Sequence, residues 1–595
     1  MTQSISSRVD AIRAWLKEQN FDAIIIPHED EFLGEYLPAH NERLQWATGF
    51  TGSAGAAVIA QDKAAIFVDG RYTVQVTKQA PSEIFDYCHL IQQPVSEWLK
   101  ENLDKQSVVA LDSKLHSKRW FDSLIATLEG KLSVTEIESN PIDQLWTDRP
   151  EAELSEIMLM ESNYVGRNSE NKREEISGLL TAQNVDAAIL TQLDSICWLL
   201  NIRGLDVSRL PVILASAIIY SDSSMTLFLD PTRLPAEFQN HVGAGINVKH
   251  PDSLISEIQS LSGKTVLIDP NNSNAWFSRQ LENADALIIH SDDPCLLPKA
   301  QKNATEAKGM KASHIRDGVA MAKFLSWLDS EVSSNKLHDE AELAEKLESF
   351  RREDPSLVDL SFDTISAASV NAAMCHYNHI NQPSPTQLSM GSMYLVDSGG
   401  QYPDGTTDIT RTIAIGTPTQ EMKNQFTLVL KGHISLANAK FPTGTTGHQL
   451  DVLARQHLWA NGFDFDHGTG HGVGHFLNVH EGPQRIAKVA NSVALLPGMV
   501  LSNEPGYYRE EEFGIRIENL EIVVEVETHG DFNVLGFESL TRCPIDKRCI
   551  EVSLLTPLEI NWLDEYHQKV WNDLSALVES DVYNWLKQAT SPIAR

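Results

Sequence analysis

Hydrophobic and polar positions follow the same course twice in the first half of the chain. Trp15-Leu-Lys-Glu-Gln-Asn-Phe-Asp-Ala-Ile-Ile25 reads as the end of an amphipathic helix, a Gln-Asn turn and a buried strand. Leu179-Leu-Thr-Ala-Gln-Asn-Val-Asp-Ala-Ala-Ile189 repeats that course. Further on, Trp46-Ala-Thr-Gly-Phe-Thr-Gly52 is echoed by Trp198-Leu-Leu-Asn-Ile-Arg-Gly204, and Phe67-Val-Asp-Gly-Arg71 by Phe228-Leu-Asp-Pro231. Three echoes in one order predict two related α/β domains, over 1–152 and 153–305. Linkers rich in Pro and Asp are expected at 140–150 and 290–298. The pattern then changes. A long helix is expected over 304–332, and Leu343, Leu347 and Phe350 form the apolar face of another. From Ser361 short strands dominate a third segment, 306–595.

Composition narrows the classes. The 595 residues hold 48 Lys+Arg against 81 Asp+Glu, a net charge of −33, with 42% hydrophobic and 22% charged positions. These proportions exclude a mainly disordered chain. The acidic field opposes nucleic acid, so no such partner is expected. Six scattered cysteines, Cys88, Cys197, Cys295, Cys375, Cys543 and Cys549, read as isolated thiols rather than a disulfide framework. The first residues lack a basic stretch leading into an apolar one. The longest apolar run, Leu210 to Tyr220, is far short of the roughly 20 residues of a membrane span. A cytoplasmic protein with no membrane partner is the expectation.

The third segment holds the candidate chemistry. Met393-Tyr-Leu-Val-Asp397 is an apolar strand ending in a carboxylate, and Asp408 follows eleven residues later in Thr-Thr-Asp408-Ile-Thr-Arg. Each aspartate alone reads as a turn residue, but a buried carboxylate must be paired or bound to metal. His467-Gly-Thr-Gly-His471-Gly-Val-Gly-His475-Phe-Leu-Asn-Val-His480 sets four histidines among glycines. It lacks the His-Glu-x-x-His of a zinc-protease helix and the Gly-Lys-Ser/Thr of a phosphate-binding loop. Glu504 ends another strand, and Glu518 follows fourteen residues later in Gly-Ile-Arg516-Ile-Glu518, whose alternation puts Arg516 and Glu518 on one face. Asp397, Asp408, His471, Glu504 and Glu518 thus form a set of four carboxylates and one imidazole. Such a set suits two divalent ions, Mn2+ foremost, with Co2+, Zn2+ or Fe2+ as alternatives. A hydroxide held between two ions remains nucleophilic near neutral pH.

These motifs, Asp397-Ser-Gly through Thr-Asp408-Ile-Thr-Arg, His-Gly-Thr-Gly-His471 through Val-His480-Glu-Gly-Pro, and Glu504-Pro-Gly-Tyr-Tyr through Ile-Glu518-Asn, closely resemble the Xaa-Pro aminopeptidases (aminopeptidase P). That family belongs to the pita-bread metallopeptidases, with prolidase, methionine aminopeptidase and creatinase. The doubled N-terminal domains and the length resemble its three-domain cytosolic type. The resemblance implies two creatinase-N-like α/β domains followed by an α+β pita-bread catalytic domain. It implies that Asp397, Asp408, His471, Glu504 and Glu518 are metal ligands, with Asp408 and Glu518 bridging. His376 and His480 match histidines that contact substrate and stabilise the tetrahedral intermediate, and Glu504, set beside nucleophile and leaving nitrogen in such a site, is read as the proton carrier. Arg71 matches an arginine that reaches a partner subunit's substrate, and Arg516 is taken as a further substrate contact. The implied reaction is hydrolysis between an N-terminal residue and a following proline, by a homodimer, with a metal-bridging hydroxide as nucleophile. The rivals are a prolidase restricted to Xaa-Pro dipeptides, an inactive pita-bread binding module and a metal-free, creatinase-like hydrolase. The last two lose ligands that are all present here. Cys375 and His475 depart from the motif pattern and bear on fine specificity.

Overall fold

The computed structural model describes residues 3–382 and 384–593. Two compact units emerge, one of Met1–Met160 with Arg167–Leu296, the other of Glu161–Gly166 with Leu297–Arg595.

The first unit contains two six-stranded sheets built to one plan. In chain order the first sheet's strands are Ala23–Pro27, Ala56–Ala60, Ala64–Val68, Asp86–His89, Val108–Leu111 and Ser133–Glu136. They lie side by side as fourth, third, second, first, fifth, sixth. The second sheet, made of Ala187–Leu190, Ser216–Tyr220, Met225–Phe228, Ile246–Lys249, Thr265–Ile268 and Leu287–His290, has the same order. Both also share the sense of every pairing: first to second and second to third antiparallel, the rest parallel. Ala23–Pro27 and Ala187–Leu190 are buried at every position, as strands covered on both faces by helices must be. The Gln-Asn turns work as the pattern predicts. Asn20 (φ 60°) ends the helix Ile5–Gln19, and Asn184 (φ 56°) follows Ser169–Ala182. Asparagine tolerates this left-handed geometry.

The expected linker 140–150 begins with a helix and continues as irregular chain over 146–150. Asn140 caps a short helix, Pro141–Leu145, whose Ile142 is wholly buried. Asn followed by Pro punctuates a chain, but it also starts helices, and burial of Ile142 selects that outcome.

In the second unit the expected long helix is Ala304–Ser333, opened by an Asn303–Glu306 capping box. It packs beside Glu340–Arg351, where Leu343 and Leu347 are fully buried. A three-stranded sheet joins Ile365–Ala368, Ser392–Ser398 and Ile409–Ile415. A six-stranded sheet runs in the order Lys440–Pro442, Val534–Ser539, Asn519–Val526, Val500–Asn503, Gly470–Gly472, Glu481–Ile486. The hairpin Gly506–Arg509/Phe513–Arg516 forms a sheet of its own that packs on the strands Ser392–Ser398 and Ile409–Ile415. Among the described residues no helix is long and apolar enough to cross a membrane.

Candidate metal centre

Strand pairing brings the five expected residues to one buried place. In the small sheet Asp397 lies opposite Thr410, so Asp408 enters its strand beside the end of its neighbour's. In the large sheet Asn503 lies opposite Asn519, which sets Glu504, just past one strand, near Glu518, just before the other. His471 comes from the short strand between Val500–Asn503 and Glu481–Ile486. Its neighbour Gly470 allows this approach: a Cβ there would lie 2.0 Å from the Ser502 carbonyl oxygen.

Ligand atoms of Asp408, His471 and Glu518 all lie within 4.8 Å of one another. His471 Nε2 is 3.5 Å from Asp408 Oδ2 and 3.6 Å from Glu504 Oε1. Its Nδ1 sits 2.9 Å from the Gly472 carbonyl oxygen, which only a protonated Nδ1 can engage. That bond fixes the tautomer whose Nε2 can ligate a metal. Asp397 Oδ1 and Asp408 Oδ1 are buried with no hydrogen-bond partner. Oxygens of that kind are costly unless a cation completes them.

The electrostatics agree. Burial pushes Asp397 up to about 7, opposed by Arg516 and reinforced by Asp408 and Glu504. Burial also raises Glu504, and raises Glu518 well above the usual carboxylate range with repulsion from Asp408, Asp397 and Glu504 added. Burial works against charge on His471, yet the bond to Asp408 and the charge of Glu504 carry it up to about 9. A crowd of carboxylates sharing one imidazole is what divalent cations relieve.

His480 stands edge-on to His471, with ring centroids 4.3 Å apart. The residue after it, Glu481, is fully buried between Lys299 (3.2 Å) and Lys302, themselves almost wholly buried. His376 occupies a half-buried turn after Ser369–Ala373, a segment that packs on the hairpin bearing Arg516. Cys375 shares that turn and bears electrostatically on Tyr508 of the hairpin, while His475 is buried.

Arg516 differs from its expected role. Its guanidinium donates to Asp397 Oδ2 at 2.6 Å, Thr410 Oγ1 at 3.1 Å and Tyr508 OH at 2.8 Å. Only 2% exposed, it is committed to protein groups and clamps Asp397 rather than meeting a peptide. Arg71 lies in the first unit, where Asp69 accepts from its Nε and Nη2 and sets the guanidinium's direction.

Three further residues belong to the site. Thr410 Oγ1 donates to Glu518 Oε2 at 2.7 Å. Ser502 Oγ donates to Glu504 Oε1 at 3.1 Å and accepts the His471 amide at 2.9 Å. Tyr508 joins Arg516 to His467. Thr410 and Ser502 each stand two positions from an acidic candidate, and the two-residue period of a strand was the signal for them.

Comparison with known proteins gives the chain its family. The model of metallopeptidase family M24 matches residues 308–525, and the C-terminal region of that family matches 533–593. Creatinase/prolidase N-terminal domains match 8–145 and 148–306. Xaa-Pro aminopeptidase 1 of Dictyostelium discoideum is 39% identical over 616 aligned residues, covering 99% of this chain and 97% of that protein. The chain belongs to metallopeptidase family M24. Within M24, a probable Xaa-Pro aminopeptidase P of Laccaria bicolor is 38% identical, covering 100% of this chain and 94% of its own. The crystal structure of X-prolyl aminopeptidase from Caenorhabditis elegans, described as a cytosolic enzyme with a di-nuclear active site, superimposes with a TM-score of 0.95 at 33% identity, covering 99% of this M24 chain and 100% of the other. Both creatinase-N-like domains and the pita-bread domain are thereby accounted for. Prolidase from Pyrococcus horikoshii, 22% identical with a TM-score of 0.50, shares the fold over 63% of the M24 chain.

Proposed function

We infer that this M24 metallopeptidase is an Xaa-Pro aminopeptidase, cleaving the bond between an N-terminal residue and a following proline. The observation that carries the chemistry is the cluster of buried Asp397, Asp408 and Glu518 with half-buried His471 and Glu504, in which two carboxylate oxygens are partnerless and an imidazole Nε2 is turned inward. Full-length similarity to the Dictyostelium and C. elegans enzymes supports the substrate class. The prolidase reading has only a fold likeness over part of the chain behind it.

These five residues would hold two divalent ions, Mn2+ by our reading. Bound there, the ions supply Lewis-acid polarisation of the scissile carbonyl and a nucleophile available at neutral pH. The bond is a tertiary amide without an N–H, so peptidases that grip that N–H handle it poorly. Glu504, beside His471, carries the proton from the nucleophile to the leaving proline nitrogen. His480, beside His471, and His376 donate to the developing oxyanion. Arg516 holds Asp397 in its ligating orientation, and Thr410 and Ser502 do the same for Glu518 and Glu504. The acidic centre also suits the free α-amine of the substrate. Elemental analysis, with assays on Xaa-Pro-peptides of increasing length and an Xaa-Pro dipeptide control, tests this. Cleavage of the dipeptide alone would make the chain a prolidase.

We read the protein as cytosolic, as its C. elegans relative is described, and as a homodimer in which Arg71 reaches the partner's substrate beyond proline. A guanidinium has donors for several peptide carbonyls. Arg71→Ala is then expected to raise KM about tenfold on a nonapeptide, with little change on a tripeptide. Kinetics on both peptides, with molar mass by light scattering, check it. Equal kinetics to wild type on both, or a fully active monomer, would remove Arg71 from the site.

A further inference from the structure

The turn bearing His376 belongs to a long excursion between the strands Ile365–Ala368 and Ser392–Ser398, and most of its anchoring runs to one side chain. Glu340, the first residue of the helix Glu340–Arg351, is fully buried. Its Oε1 accepts from the Ala368 amide at 2.8 Å and Asn371 Nδ2 at 2.9 Å. Its Oε2 accepts from Tyr377 OH at 2.6 Å and the Thr386 amide at 2.9 Å. The Glu340 amide returns a bond to the Thr386 carbonyl at 3.1 Å. One carboxylate therefore joins the start, the middle and the far end of the segment, and Tyr377 is the residue next to His376. The four partners are neutral donors. The charge is balanced by them and by the helix N-terminus at which Glu340 sits.

On its opposite side the segment rests on the Arg516 hairpin. A Cβ at Gly514 would lie 1.7 Å from the Ala372 carbonyl oxygen, so the two backbones touch. The turn is thus held between a buried carboxylate and the hairpin that orients Asp397. Closing such a loop loses chain entropy, and distributed hydrogen bonds to one fixed acceptor offset it.

The geometry points to Glu340 as a positioning residue for His376: by gathering Ala368, Asn371, Tyr377 and Thr386 on one carboxylate, it fixes where that imidazole meets substrate. The inference rests on the reading of His376 as a substrate contact, and a double-mutant cycle separates the two. Glu340→Ala is expected to lower kcat/KM on an Xaa-Pro-peptide by about tenfold or more, with bound metal unchanged. Glu340→Gln, which keeps one accepting oxygen, loses less. In a His376→Ala background, Glu340→Ala should cost less than about twofold, because the group it positions is gone. The same factor in both backgrounds, or wild-type kcat/KM in Glu340→Ala, overturns the proposal. A silent His376→Ala would remove the His376 reading and the proposal with it. Should Glu340→Ala fail to fold, Tyr377→Phe and Glu340→Gln enter the same cycle. Cys375, the one cysteine of six that is not buried, gives an independent readout: thiol labelling should quicken in Glu340→Gln as the turn loosens.

Discussion

Asp408→Asn, or Glu518→Gln, is expected to lose more than about a thousandfold in kcat and to retain less metal than the wild type. Removing one oxyanion donor from an enzyme typically costs about 10²–10³ in kcat, and losing a residue that would hold the ions would take away both the polarising group and the nucleophile. Unfolding will not explain the loss. Glu518 is buried among like charges, and repulsion from Asp408 is the largest contribution after burial to its raised pKa. Each substitution keeps the side chain's size and one accepting oxygen while taking an acid out of that crowd, so the metal-free variants should melt close to the metal-free wild type. Metal content, kcat and thermal melting on the same purified samples check this. Near-normal turnover in a folded variant would sink the two-metal reading.

His480→Ala should behave differently: metal retained, KM little changed, kcat down by about 10²–10³. The side chain lies against His471, but its backbone is held from both sides, by fully buried Val479 and by Glu481 between its two lysines. Truncation therefore leaves the ligand where it is and takes away one donor. Loss of metal would instead make His480 a ligand.

The sequence carried the five candidate ligands because each lies in or beside a strand within a motif of unusual composition. It carried the doubled domains because matching turns and strands recur in order. What it could not carry was pairing across distance. Nothing local links Arg516 to Asp397, or Glu340 to Tyr377, since these contacts depend on sheet order and on where a loop lands. Arg516 was misread for that reason: alternation gave its face correctly, but not the carboxylate waiting opposite. In the 140–150 segment the two domain matches meet, between 145 and 148, but the short helix Pro141–Leu145 stayed hidden because composition does not reveal the burial of Ile142.

Lys299 and Lys302 precede the helix Ala304–Ser333 and lie within the stretch matching the creatinase/prolidase N-terminal domain, yet their buried ammonium groups serve Glu481 in the sheet that carries His471. Stripping a buried carboxylate of its cations costs about 3–5 kcal/mol, a large part of the 5–15 kcal/mol that holds a typical protein together. A metallopeptidase part cut at residue 306 would therefore leave Glu481 buried without its two cations. A shortened chain that keeps Glu481 paired with both cations has to begin upstream of Lys299.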